Sequence, residues 1–75
     1  MVKFLHKSVF GYSVLGEMAA GDEVKVACQT MLECKSVKSL ASQYKKDHPR
    51  EDVSKYSIKI DEQGSGFIVN ITAVA

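Results

Sequence analysis

The chain predicts a small two-layer α+β domain. Its sheet has three or four mainly antiparallel strands, with one helix over about 36–47 packed on one face and a C-terminal β-hairpin over about 55–74. Three observations predict this. Residues 56–73 alternate apolar and polar around a glycine turn, residues 37–44 repeat at helical spacing, and 75 residues suffice for one core only. A chain this short buries only about 60% of the surface it exposes when unfolded, so the apolar stripes of helix and hairpin must share that core.

The first fourteen residues alternate twice, at Val2 and Phe4 and again at Phe10, Tyr12 and Val14, which predicts one strand or two. "VLGEMAAG" offers Leu15 and Met18 three apart, enough for one helical turn that Gly16 and Gly21 keep short. After the Gly21-Asp22 turn signal, Val24 and Val26 alternate with Glu23 and Lys25, predicting a strand from about 22 to 28.

Val37, Leu40, Ala41 and Tyr44 then recur at i, i+3, i+4 and i+7, the stripe of an amphipathic helix. Ser36 is the expected N-cap, since its hydroxyl can accept a bond from a first-turn N–H. Pro49 disfavours helical geometry at His48 and ends the helix near residue 47. In the last segment Tyr56, Ile58 and Ile60, then Phe67, Val69, Ile71 and Ala73, point to one buried face, and "EQGSG" between them allows positive φ at a turn. No internal repeat or linker divides the chain, which reads as a single domain over residues 1–75.

Composition excludes several classes. With 45% hydrophobic and 25% charged residues and one proline, the chain is neither disordered nor of low complexity. Its apolar runs fall far short of the ~20 residues of a membrane span, and His6, Lys7 and Ser8 interrupt the N-terminal run that a signal peptide would need. Two cysteines are too few for a disulfide-stapled scaffold, so the expected location is cytoplasmic, with both thiols reduced. The "NIT" sequence at 70–72 is then an unused glycosylation pattern.

The runs "LGEMAAGDEVKV", "SVKSLASQYKKDHP", "YSIKI" and "GSGFIVNI" resemble in their layout small α+β proteins encoded by bacteriophages. The likeness covers about residues 14–72. It implies a small regulatory or interaction protein working in the cytoplasm of a bacterial host, and it brings no catalytic residues.

Charge is distributed unevenly. The formal net charge is +1, yet residues 34–50 hold Lys35, Lys38, Lys45, Lys46 and Arg50 against Asp47, while five lysines face eight acids elsewhere. With Val37 at zero on a helical wheel, Lys45 falls at about 80°, Lys38 at about 100°, Ser42 at about 140°, Lys35 at about 160° and Lys46 at about 180°. One exposed flank thus gathers four lysines and a serine. Such a surface binds phosphates by Coulomb attraction and counterion release, with Ser42 adding a hydrogen bond and Arg50 following the helix. The competing reading is a solvated helix face, favoured by a pI of 7.8, below the value of about 9 common among strong nucleic-acid binders.

The remaining candidates carry less. His6, Cys28, Cys34 and His48 lack the close ligand pairs of a zinc site, and a Cys–His nucleophile needs a pocket that a domain of this size seldom builds. The acidic pairs at 22–23, 51–52 and 61–62 sit in or beside turns, where carboxylates are solvated. "GSG" at 64–66 precedes a strand, unlike a phosphate-cradling loop. The expected function is therefore non-enzymatic, with no catalytic residue, metal or cofactor. The partner is nucleic acid bound through the helix flank or, alternatively, a host protein bound or inhibited through that flank or a sheet edge. The oligomeric state is a monomer or a homodimer.

Overall fold

A computed structural model describes residues 2–75. In chain order the elements are β1 (Val2–His6), a 3-10 turn (Lys7–Val9), α1 (Tyr12–Glu17), β2 (Glu23–Cys28), α2 (Met31–Asp47), β3 (Lys55–Gln63) and β4 (Gly66–Val74). The four strands form one mixed sheet in the order β1-β2-β4-β3. β1 runs parallel to β2, which requires a crossover, and the segment containing α1 supplies it. The other two pairings are antiparallel, with Val24 opposite Ile71 and Ile58 opposite the same Ile71 from the other side.

One face of the sheet is the core face. Val24, Val26 and Cys28 of β2 and Val69, Ile71 and Ala73 of β4 are buried there, as their alternation requires. α2 covers them with Cys34, Val37 and Ala41, and α1 adds Val14 and Leu15, with Met18 just beyond its end. The hairpin forms as its sequence predicts, over Lys55–Gln63 and Gly66–Val74. Its two-residue loop has positive φ at Gly64 alone, the pattern of a type II′ turn, which asks for glycine at its first position. Gly66 serves a different need, since a Cβ there would meet the Cys28 carbonyl oxygen at 2.8 Å. Because β3 is an edge strand, Tyr56 and Ile58 are only half-buried and Ile60 is exposed.

Two sequence expectations are corrected. The helix does not begin near Ser36 but at Met31, capped by Thr30, whose Oγ1 accepts from the Glu33 N–H at 3.3 Å. Glu33 Oε1 in turn accepts from the Gln29 N–H at 2.9 Å, a variant of the reciprocal capping box that fixes the helix start. The alternation of Phe10, Tyr12 and Val14 is not a second strand: Tyr12–Glu17 is helical, because Val14, Leu15 and Met18 reach the core together from a helix and not from an extended chain.

The opposite face of the sheet carries a polar network. Lys25 Nζ donates to Asn70 Oδ1 at 2.5 Å, Asn70 Nδ2 donates to Asp61 Oδ2 at 2.7 Å, and Glu23 pairs with Lys25 at 3.1 Å. Asn70 is only 9% exposed, so these bonds satisfy an amide that would otherwise be costly to bury.

Candidate nucleic-acid interface

α2 sets the interface because its two sides are unlike. The stripe of Cys34, Val37 and Ala41 is buried against the sheet, with Leu40 and Tyr44 half-buried beside it. Lys35, Lys38, Ser42, Lys45 and Lys46 are all exposed. Helical geometry places these five on one flank that runs about 17 Å along the axis, enough to meet several phosphates. Among the described residues none of the four ammonium groups has a carboxylate partner; the ion pairs join Lys3 with Glu17, Lys25 with Glu23, and Arg50 with Asp52. Lys45 and Lys46 lie in the last turn, where the negative end of the helix dipole favours cations.

The acid of this stretch is turned away. Asp47 accepts from Gln43 Nε2 at 3.0 and 3.1 Å and from the Tyr12 hydroxyl at 3.5 Å, on the side of α2 that faces α1. The lysine flank instead borders the edge strand. A crevice of about 170 Å³ between α2 and β3 is lined by Ala41, Ser42, Lys45, Lys55, Tyr56 and Ile58. A second, open groove runs over Lys38, Ser39, Ser42, Gln43, Lys45 and Lys46 on the helix.

Arg50 belongs to a different structure. Its Nη1 donates to the carbonyls of Met18 at 2.6 Å and Leu15 at 3.3 Å, and Nε and Nη2 grip Asp52 at 3.1 and 2.8 Å. The guanidinium thus closes the C-terminal end of α1, where Leu15 O also accepts from the Met18 N–H at 3.3 Å. Its pKa is raised further, chiefly by the hydrogen bonds to Asp52. The lysines and Ser42 come together; Arg50, their neighbour in sequence, is committed elsewhere.

Aromatic residues gather at the other flank of α2, a cluster that sequence spacing did not reveal. His48 stacks on Tyr44 with centroids 5.0 Å apart, and Tyr12 meets Tyr44 edge-on at the same separation. Tyr56 approaches Tyr44 edge-on at 6.1 Å, so Tyr44 is packing material and not a platform for bases. The signal that could have exposed this cluster was the Tyr44-His48 spacing of one helical turn.

Among the described residues no three of the candidate ligands converge on one point. His6 Nδ1 bonds the Ser8 hydroxyl at 3.0 Å, and His48 lies in the aromatic cluster. Cys28 and Cys34 are both free and buried in the core. Burial pushes the Cys28 thiol from 9.0 up to about 11, with the neighbouring Cys34 adding to the effect. A nucleophilic cysteine needs the opposite shift. No helix of the described residues is long and apolar enough to cross a membrane. Comparison with protein-family models, curated proteins and solved structures finds no match to this chain.

Proposed function

We propose that the protein is a small non-enzymatic regulatory protein that binds nucleic acid by its phosphates. The contact surface is the flank of Lys35, Lys38, Ser42, Lys45 and Lys46. One observation carries this reading: among the described residues four lysines share an exposed flank without an acidic partner, while the neighbouring Asp47 is hydrogen-bonded on the other side of the helix. Lysines position a protein on a backbone and do not read bases, so the binding is of low sequence specificity. The resemblance to small phage-encoded proteins fits a regulatory role in a bacterial host.

The test is binding to a panel of duplex and single-stranded oligonucleotides at two salt concentrations. Neutralising about four phosphates gives roughly a hundredfold loss of affinity between about 50 and 200 mM salt. The double variant Lys38→Glu/Lys45→Glu, still folded by circular dichroism, should lose binding at the lower salt. Absence of binding at low salt, or binding that the double variant retains, rejects the proposal.

A further inference from the structure

β3 is hydrogen-bonded to β4 on one side, and among the described residues nothing pairs with its other side along nine residues. An edge of this length is a template for a further strand. The opposite edge, β1, is shorter, at five residues. On its core side β3 also leaves Ile60 36% exposed, with Ile58 and Tyr56 half-buried.

We propose that this edge pairs antiparallel with the β3 of a second copy, about a two-fold axis through Ile58, to give a continuous eight-stranded sheet. Symmetry limits the choice of register. Antiparallel neighbours related by a two-fold have the axis perpendicular to the sheet, so a core-facing residue must meet a core-facing residue and the axis must pass through a residue pair.

The sequence of β3, KYSIKIDEQ, distinguishes the available registers. Centred on Ile58, Lys55 stands opposite Asp61 twice, Tyr56 opposite Ile60 twice, and Ile58 opposite itself. Centred on Ser57, Lys55 stands opposite Lys59 twice. Centred on Lys59, two lysines meet at the axis and Tyr56 faces Glu62. Centred on Ile60, Ile58 faces Glu62. The Ile58 register alone matches opposite charges on one face and apolar residues on the other, the pairings that stabilise adjacent strands. Lysines on an edge strand ordinarily discourage pairing; here they penalise the competing registers.

The groups needed are available. Lys55 makes no ion pair among the described residues, and Asp61 uses Oδ2 for Asn70, which leaves Oδ1 for a partner's ammonium. Because the axis is perpendicular to the sheet, both copies of α2 lie on the same side of it. The two crevices lined by Lys45 and Lys55 then face each other across the axis.

The test is the oligomeric state of the full chain without nucleic acid, measured by sedimentation and light scattering over a concentration series. The expected species has twice the 8.2 kDa mass of the chain. Lys55→Asp replaces both ion pairs by like-charge contacts and should weaken the dimer at least about tenfold. Asp61→Lys does the same, and an equimolar mixture of the two variants restores both pairs in a heterodimer, a rescue that a folding defect cannot imitate. A monomer at every concentration, or a dimer indifferent to Lys55→Asp, overturns the proposal.

Discussion

Arg50 and the lysines of α2 occupy one basic run of sequence, yet the fold uses them in opposite ways. Arg50 spends its donors on two carbonyls of the α1 end and on Asp52, and its side chain is 24% exposed. The lysines spend none within the described residues. A positive charge becomes available to a partner only when its own chain does not already satisfy it. Planar, multidentate arginine suits the internal task, whereas flexible lysine remains hydrated at the surface.

Charge reversal on the flank is the strongest way to separate the two roles. Lys38→Glu/Lys45→Glu should lower oligonucleotide affinity by roughly a hundredfold or more at low salt, since two phosphate contacts become repulsions. Its thermal midpoint should stay within about 8 °C of the parent, because two exposed substitutions, one at the negative end of the helix dipole, together cost about 1 kcal/mol. Thermal melts and binding titrations on the same preparation check both halves.

Arg50→Ala should show the reverse pattern. Two carbonyls at the α1 end lose a charged donor and Asp52 loses its partner, so the midpoint should fall by roughly 10 °C. Affinity measured well below that midpoint should change by no more than about threefold, since one fewer positive charge alters only long-range attraction. A large loss of affinity with an unchanged melt would place Arg50 back on the phosphate surface.

The start of α2 marks the limit of sequence reasoning. Periodicity identified the helix through Val37, Leu40, Ala41 and Tyr44, but Met31 and Leu32, 45% and 75% exposed, carry no apolar stripe that would announce its first turn. Ser36 looked like a cap because only the residues after it were periodic. Thr30 followed three residues later by Glu33 was the better signal, and the structure uses it. Thr30→Ala should cost about 1 kcal/mol, while Ser36→Ala should stay within about 0.5 kcal/mol. Denaturant midpoints at equal slope test the difference.

Elsewhere, legibility followed length and locality. The hairpin was readable because nine-residue strands repeat their pattern often enough to exclude a helix. α1 was not, because six residues complete fewer than two turns and the three-residue alternation of Phe10, Tyr12 and Val14 imitates a strand. The lysine flank was readable from helix geometry alone. The role of Arg50 was not, because its acceptors at Leu15 and Met18 are more than thirty positions away and are brought near only by the packed fold.

The finest test concerns Asp47, which sits within the basic run but bonds away from it. A helix is about 10 Å across and the screening length near physiological salt is about 8 Å, so its charge should be only weakly felt on the lysine side. Asp47→Asn should therefore change oligonucleotide affinity by no more than about twofold. Its effect should appear instead at Tyr12, whose pKa is raised above 10.0 first by burial and then by the charge and hydrogen bond of Asp47. Removing the charge should lower that pKa part of the way, because burial remains. Since the folded phenol holds its proton longer than the unfolded one, stability falls as pH rises past 10, and the variant should show a shallower fall. Ultraviolet titration of the tyrosines, compared between parent and variant, reads this shift. A several-fold gain in affinity would show that Asp47 opposes the flank after all, and would make the run a single electrostatic unit.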